Sequence, residues 1–246
     1  MNRWCFGDPH GELEKLKDIF KIAPIEKGDT IISLGDLVDR GPKSFECVQL
    51  LIDMQKDYNM IFIKGNHDYC FYEGVNNGRY MLMGQGCEET LESYIRNCNP
   101  DKTVSRKMHS DSYTDFEFND MPIEHHTFFN SQLDYYIDED NNCFVHGGFN
   151  RHKLIEEETD KQIFLWDRDL LGAARSYSSM KNNEYPFKMK NQFKNVFIGH
   201  TPTLYFGIST PVNYANIWDV DTGSGKSPDA KLTIMNVETK EYYQSR

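Results

Sequence analysis

"LGDLVDRGPKS", Leu34 to Ser44, sets Asp36, Asp39 and Arg40 between two glycines, directly after the apolar run "TIIS" (30–33). Ionised groups crowded at the end of a strand are costly to desolvate unless something pairs with them. Outward from this stretch the same arrangement recurs. "RWCF" (3–6) runs into "GDPHG" with Asp8 and His10, and "MIFIK" (60–64) into "GNHD" with Asn66 and His67. "NCFV" (142–145) runs into His146, Gly147 and Gly148, and "NVFI" (195–198) into Gly199 and His200. Loops at the carboxyl ends of strands form the ligand crevice of open α/β sheets, and glycine lets backbone approach a bound group closely. One such motif alone reads as an ordinary turn or a hydrogen-bonded core histidine. All of them together point to a metal site. Carboxylate, imidazole and amide donors without thiolate suit Mn²⁺, Fe or Zn²⁺ better than they suit a cysteine-based structural zinc.

Between these motifs the periodicity predicts helices. "GELEKLKDIFKI" places Leu13, Leu16, Ile19 and Phe20 on one face, and "SFECVQLLIDMQ" does the same with Phe45, Val48, Leu51 and Ile52, with Ser44 expected as N-cap. The β-α-β-α-β rhythm predicts an α/β fold that opens with parallel strands. A polar stretch at about 70–130 reads as a helical and loop excursion within one domain spanning 1–246, not as a second domain. "LDYYID" and "NCFV" read as a hairpin, "IWDVDTGSGKSPDAKLTIMNVETKEYYQ" as a terminal β meander, and "RSYSSMKNNEYPFKMKNQ" as a loop flanking the cleft.

The chain has 246 residues and a formal net charge of −11, with 39% hydrophobic residues that include 16 Phe and 14 Tyr. An aromatic-rich core is expected. The charge argues against a nucleic-acid partner, and bound cations would offset it. No apolar run approaches the ~20 residues of a membrane span, and the N-terminus lacks the apolar core of a secretory signal. Six scattered cysteines predict reduced thiols and a cytoplasmic protein. His109, His125, His126 and His152 lack strand-end context and are expected to be no ligands.

In order and spacing, "GDPHG", "GDLVDRGPKS", "GNHD", "VHGG" and "GHTP" resemble the phosphoprotein phosphatase family, especially its compact bacterial and phage members. "GQGCEETLESY" (84–94), "LWDRDLL" (165–171) and the closing "DVDTG…KLTIMNVET" extend the resemblance over essentially the whole chain. The resemblance implies two mixed β-sheets in a sandwich flanked by helices, a four-layer α-β-β-α arrangement. It further implies two divalent ions, Mn²⁺ foremost. Asp8, His10 and Asp36 would hold one ion, and Asp36, Asn66, His146 and His200 the other, with Asp36 as the bridge. A hydroxide shared by ions about 3.5–4 Å apart would attack phosphorus in line. Arg40 and Arg168 would clamp the phosphate oxygens. His67, oriented by Asp39, would protonate the leaving group.

The substrate implied first is a phosphorylated protein or peptide, at Ser and Thr and conceivably Tyr. The runner-up is a dinucleoside polyphosphate such as diadenosine tetraphosphate, because Asp68 in "GNHD" resembles the related hydrolases of those compounds. A polyphosphate chain calls for extra Lys or Arg near the site. Along the sequence the motifs offer Arg40, Arg168, Lys43 and Arg151, and otherwise aromatics: Phe149, Tyr205 and Phe206. A metal-dependent nuclease ranks lower, since Pro202 occupies the slot of a further histidine. A non-catalytic module with a decayed site ranks lowest, because the ligand set is complete.

Overall fold

A computed structural model describes residues 1–105, 113–180 and 186–246. The runs read as strands from the sequence form β1 (Arg3–Phe6), β2 (Thr30–Ser33) and β3 (Asn59–Phe62), joined in parallel in that order. Between them lie α1 (Leu13–Ile22) and α2 (Ser44–Met54). The excursion supplies α3 (Asn66–Asn77), α4 (Cys87–Cys98), a short pair β4 (Val104–Ser105) and β5 (Tyr113–Thr114), and α5 (Ile123–Ser131). The expected hairpin forms from β6 (Tyr135–Ile137) and β7 (Asn142–Val145). Then come α6 (Gln162–Trp166), α7 (Asp169–Ser179), β8 (Asn195–Ile198), β9 (Val212–Tyr214), β10 (Ile217–Asp219), β11 (Thr233–Asn236) and β12 (Tyr242–Gln244).

Two five-stranded mixed sheets result, ordered β12-β11-β1-β2-β3 and β6-β7-β8-β10-β9. Successive side chains on a strand point to opposite faces, and here both faces are buried. Trp4, Phe6, Ile31 and Ile234 pack into the layer of α1 to α5, while Cys5, Ile32 and Met235 meet the other sheet. In the second sheet Cys143, Val145, Val196 and Ile198 pack toward the α7 side, and Phe144 and Phe197 face inward. These two rings stack at 5.0 Å between centroids and form part of the inter-sheet core. The order is therefore helices, sheet, sheet, helices, matching the architecture implied by the resemblance. The excursion shares its packing with the first sheet, because Phe71, Tyr94, Phe116 and Phe129 join the cluster that holds Phe6. No described helix is long and apolar enough to cross a membrane, and all six cysteines are free.

Several local expectations change. The terminal segment is not one meander: β10 closes the second sheet, whereas β11 and β12 add to the first. Ser44 is the first helical residue rather than the cap of α2, and its hydroxyl meets the Thr90 hydroxyl at 2.9 Å. α3 begins at Asn66, so part of the "GNHD" motif lies on a helix N-terminus. Residues 175–179, expected in a loop, continue α7.

Candidate active site

The carboxyl ends of β1, β2 and β3, together with those of β7 and β8, converge on one cleft. Backbone strain is concentrated there. Of the eight non-glycine residues with positive φ among the described residues, five are His10, Asp36, Asp39, Arg40 and His200. Such φ values cost free energy and persist where surrounding structure over-determines them, often at functional sites. The glycines explain the close approach. A Cβ on Gly65 would collide with the backbone nitrogen and carboxylate of Asp36, and one on Gly199 would collide with the carboxylate of Asp8.

Asp36 is the hub. Its Oδ1 accepts the His67 amide at 2.9 Å, inside the first turn of α3, where the helix dipole favours negative charge. Candidate ligand atoms of His10, Asp36 and His67 lie within 4.8 Å of one another, and so do those of Asp36, His146 and His200. Asp8 stands outside both triplets. Its Oδ2 accepts the His200 amide at 2.9 Å, and its buried Oδ1 has no partner. Asn66 Oδ1 lies 3.0 Å from His146 Nε2. The six expected ligands thus share the cleft, all of them buried.

Their protonation follows from their surroundings. Burial, with Arg40 adding, holds the His10 imidazole well below its ordinary pKa, and burial with His146 drives His200 down to about 2. Both are neutral. His10 Nδ1 donates to the Val38 carbonyl at 2.9 Å, and the buried Nε2 atoms of both rings lack partners. Neutral imidazoles with free Nε2 atoms, beside the unpartnered Asp8 carboxylate oxygen, are the donor set a divalent ion needs. Burial would lift Asp36, but the charge of the His146 imidazole and its hydrogen bond outweigh it and hold the carboxylate well below its ordinary range. For His146, burial is outweighed by Asp36, which raises the imidazole.

The His67 ring is fixed between two partners. Its Nδ1 lies 2.6 Å from Asp39 Oδ2, and its Nε2 lies 3.2 Å from Arg40 Nη2. Asp39 is in turn held by Thr90, whose hydroxyl accepts the Asp39 amide at 2.7 Å and donates to Oδ1 at 2.8 Å. Arg168 Nη1 donates to the Thr201 hydroxyl at 2.9 Å and to the His200 carbonyl at 3.3 Å. That places Arg168 at the cleft, and among the described residues it forms no ion pair with the neighbouring aspartates.

Asp68 is buried and hydrogen-bonded within the protein. It accepts the amides of Leu37 at 2.8 Å and Gly65 at 3.2 Å and the side chain of Gln132 at 3.1 Å. It ties the loop that carries Asp36 to the start of α3. His125 and His126 are buried in α5 and hydrogen-bonded to Tyr94 and Tyr72; His152 is exposed; His109 lies outside the described residues.

Some residues of the site were not read from the sequence. Thr90 was hidden inside "GQGCEETLESY". Asp221 was quoted only as part of the closing strands; it is buried, interacts electrostatically with Asp8, and has an unpartnered Oδ2. The cations at the mouth also differ from expectation. Lys43 is paired with Glu14 at 3.1 Å, and Arg151 donates to the Lys188 carbonyl. In their place Arg175 and Lys226 come in. Lys226 Nζ donates to the Tyr205 hydroxyl at 2.9 Å. That bond, with the fields of Arg168 and Arg40, lowers the Tyr205 phenol against the opposing effect of burial. Arg175 shares with Arg168 a groove of about 610 Å³.

Comparison with known proteins agrees with this geometry. The family profile described as calcineurin-like phosphoesterase matches residues 1–204. The chain is 24% identical over 245 residues to bis(5'-nucleosyl)-tetraphosphatase PrpE [asymmetrical] of Oceanobacillus iheyensis, an alignment covering 96% of this chain and 88% of that one. It is 34% identical to serine/threonine-protein phosphatase 2 of Escherichia coli K12, over 76 residues that are 30% of this chain and 33% of that protein. Among solved structures, a serine/threonine phosphatase from Saccharomyces cerevisiae superposes with a TM-score of 0.58 at 15% identity, covering 96% of this chain and 72% of that one. With a family match that spans most of its length, the chain belongs to the calcineurin-like phosphoesterase family.

Proposed function

We propose that this chain is a metal-dependent hydrolase of dinucleoside polyphosphates. The observation that carries the substrate class is the grouping of Arg40, Arg168, Arg175 and Lys226 around the cleft mouth. Two arginines suffice for one phosphate. A longer anion entering a protein of net charge −11 calls for more. The near full-length similarity to a bis(5'-nucleosyl)-tetraphosphatase supports the same reading.

In this reading Asp8, His10, Asp36, Asn66, His146 and His200 hold two divalent ions, for which Mn²⁺ suits the oxygen and imidazole donors, with Fe and Zn²⁺ as alternatives. When bound, such a pair supplies Lewis-acid charge and a water acidified enough to attack at neutral pH. The side chains do the rest. Arg40 and Arg168 hold the non-bridging oxygens of the reacting phosphate. As the phosphorus–oxygen bond to the leaving group breaks, His67 gives its proton to the departing oxygen, and Asp39 stabilises the imidazolium beforehand. We read residues 1–246 as one such domain, cytoplasmic in location.

A second reading, a serine/threonine protein phosphatase, is favoured by the motif set and by the similarity to the Escherichia coli phosphatase. Metal-stripped protein reloaded with Mn²⁺ separates the two when given diadenosine tetraphosphate and a panel of phosphoserine, phosphothreonine and phosphotyrosine peptides. The proposal expects the higher kcat/KM on the tetraphosphate. The reverse order establishes the second reading and leaves the roles of Asp39, His67 and the metal ligands intact.

A further inference from the structure

The groove beside Arg168 is built by one face of α7 and the turn at residues 203–206. Arg168, Leu171, Arg175 and Ser179 follow one another at three- to four-residue intervals and line it along the helix. Gly172 lies in the same wall, where an added Cβ would meet nothing within 4 Å. Across the groove stand Tyr205 and Phe206. The Arg175 guanidinium lies over the Phe206 ring at 4.3 Å from its centroid. One face of a planar cation is thereby taken by an aromatic ring, and among the described residues no hydrogen bond or ion pair takes its edge or its other face.

The opposite flank of the cleft is different. There Arg40 borders a smaller space of about 280 Å³ whose wall includes Glu88 and Glu89. Carboxylates repel a polyanion and an arginine attracts it. A volume of about 610 Å³ is in the range of small-molecule pockets, and its aromatic and apolar walls with a few placed polar groups fit that class.

We propose that this groove is the subsite for the nucleoside phosphate beyond the reacting phosphate, with Arg175, Phe206 and Tyr205 as its specificity-determining residues. The inference rests on the dinucleoside polyphosphate reading and deepens it. A purine base is flat and apolar on its faces and stacks on the Arg175–Phe206 pair. The phosphate that joins it to the reacting one meets the guanidinium edges of Arg168 and Arg175. A phosphopeptide offers no such pairing of ring and second anion at a fixed distance.

The test compares Mn²⁺-loaded wild type with Arg175→Ala, Phe206→Ala, Arg175→Lys and Phe206→Tyr. Substrates are diadenosine tetraphosphate and glycerol 2-phosphate, which has no ring. Competition by AMP and by inorganic phosphate is measured alongside, with thermal midpoints to confirm folding. Stacking of a base is worth about 1–3 kcal/mol, or about 5- to 150-fold, so the two alanine variants are expected to raise KM for the tetraphosphate by about 5- to 150-fold more than for glycerol 2-phosphate. They are also expected to remove the advantage of AMP over phosphate as an inhibitor, and Phe206→Tyr is expected to restore it. Equal KM changes on both substrates, with AMP still preferred, overturn the subsite while the substrate reading stands. Absence of tetraphosphate turnover by the wild type, with glycerol 2-phosphate hydrolysed, overturns the substrate reading and the subsite with it. AMP binding by the wild type gives the same answer if the variants do not fold: inhibition no tighter than that by inorganic phosphate overturns the subsite.

Discussion

The Nδ1 atom of His67 lies 2.6 Å from Oδ2 of Asp39, while the other nitrogen of the same ring faces Arg40 Nη2 at 3.2 Å. An arginine in a protein only donates. His67 Nε2 therefore accepts from Arg40, and Nδ1 donates to Asp39. An acid needs a proton on Nε2. In the proposed mechanism the contact couples the two functions: a phosphate that drew the Arg40 fork away would also free the nitrogen assigned to protonate the leaving group.

His67→Asn is expected to keep its metal content and lose about 10²–10⁴-fold in kcat on alkyl phosphates, with a much smaller loss on aryl phosphates whose phenols need little protonation. Thr90→Val, which leaves Asp39 short of a partner, is expected to show the same substrate bias with a milder loss. Rate constants over a series of leaving-group pKa values check both. An equal loss along the series removes His67 from the role of acid.

Arg168→Ala is expected to raise KM and to weaken inhibition by free phosphate by about 10-fold or more, since a charge-assisted hydrogen bond is worth roughly 1.5–3 kcal/mol. Lysine at the same position recovers only part, because it offers a point charge and not a planar fork. Unchanged KM and phosphate inhibition in Arg168→Ala would place its side chain in a purely structural contact with Thr201.

Exhaustive chelation is expected to abolish turnover, and Mn²⁺ to restore it better than Mg²⁺, which prefers all-oxygen octahedral sites. The orphaned atoms of Asp8, His10 and His200 would gain partners on loading. The unfolding free energy is therefore expected to rise with Mn²⁺ concentration, by mass action about 2.7 kcal/mol at a hundredfold excess over Kd, and the thermal midpoint with it. Full activity with no metal detectable by elemental analysis contradicts the ligand set.

His125 gives a pH dependence independent of the metals. Burial holds its imidazole down to about 4, against about 6.5 in the unfolded chain. Between those values the unfolded state binds more protons, so stability falls as pH drops from about 6.5 to 4, by up to about 1.4 kcal/mol per pH unit. Urea unfolding at pH 7, 5.5 and 4.5 is expected to show a shallower decline in His125→Gln, which stays neutral and can still meet Tyr94 and Gln49. Identical slopes in the two proteins refute the assignment.

The parallel strands and the chemistry at their ends were legible because each is local. "TIISLGDLVDRG" carries a buried strand and the loop that ends it within twelve residues. The allegiance of the last strands was not legible. "IWD" and "TIMN" have the same alternation, and only their hydrogen-bonded neighbours, β8 for one and β1 for the other, assign them to different sheets. Thr90 was equally opaque, because a threonine in a helix shows nothing of the carboxylate it will meet 51 residues away.

By itself, then, the sequence determined the strand-and-helix alternation and the donor residues at the strand ends, since short apolar runs bounded by glycine and polar ligands carry those in local order, whereas the pairing of His67 with Asp39, 28 residues apart, was implied only by the family resemblance. Only the tertiary structure decided what stands at the mouth of that cleft. Arg175 seemed to open a loop and Lys226 lay among turn residues of the closing strands. The crossing of α7 over the second sheet and the return of the chain past β10 bring both to the groove beside Arg168, because sheet order sets which distant side chains share a surface, and no local pattern encodes it.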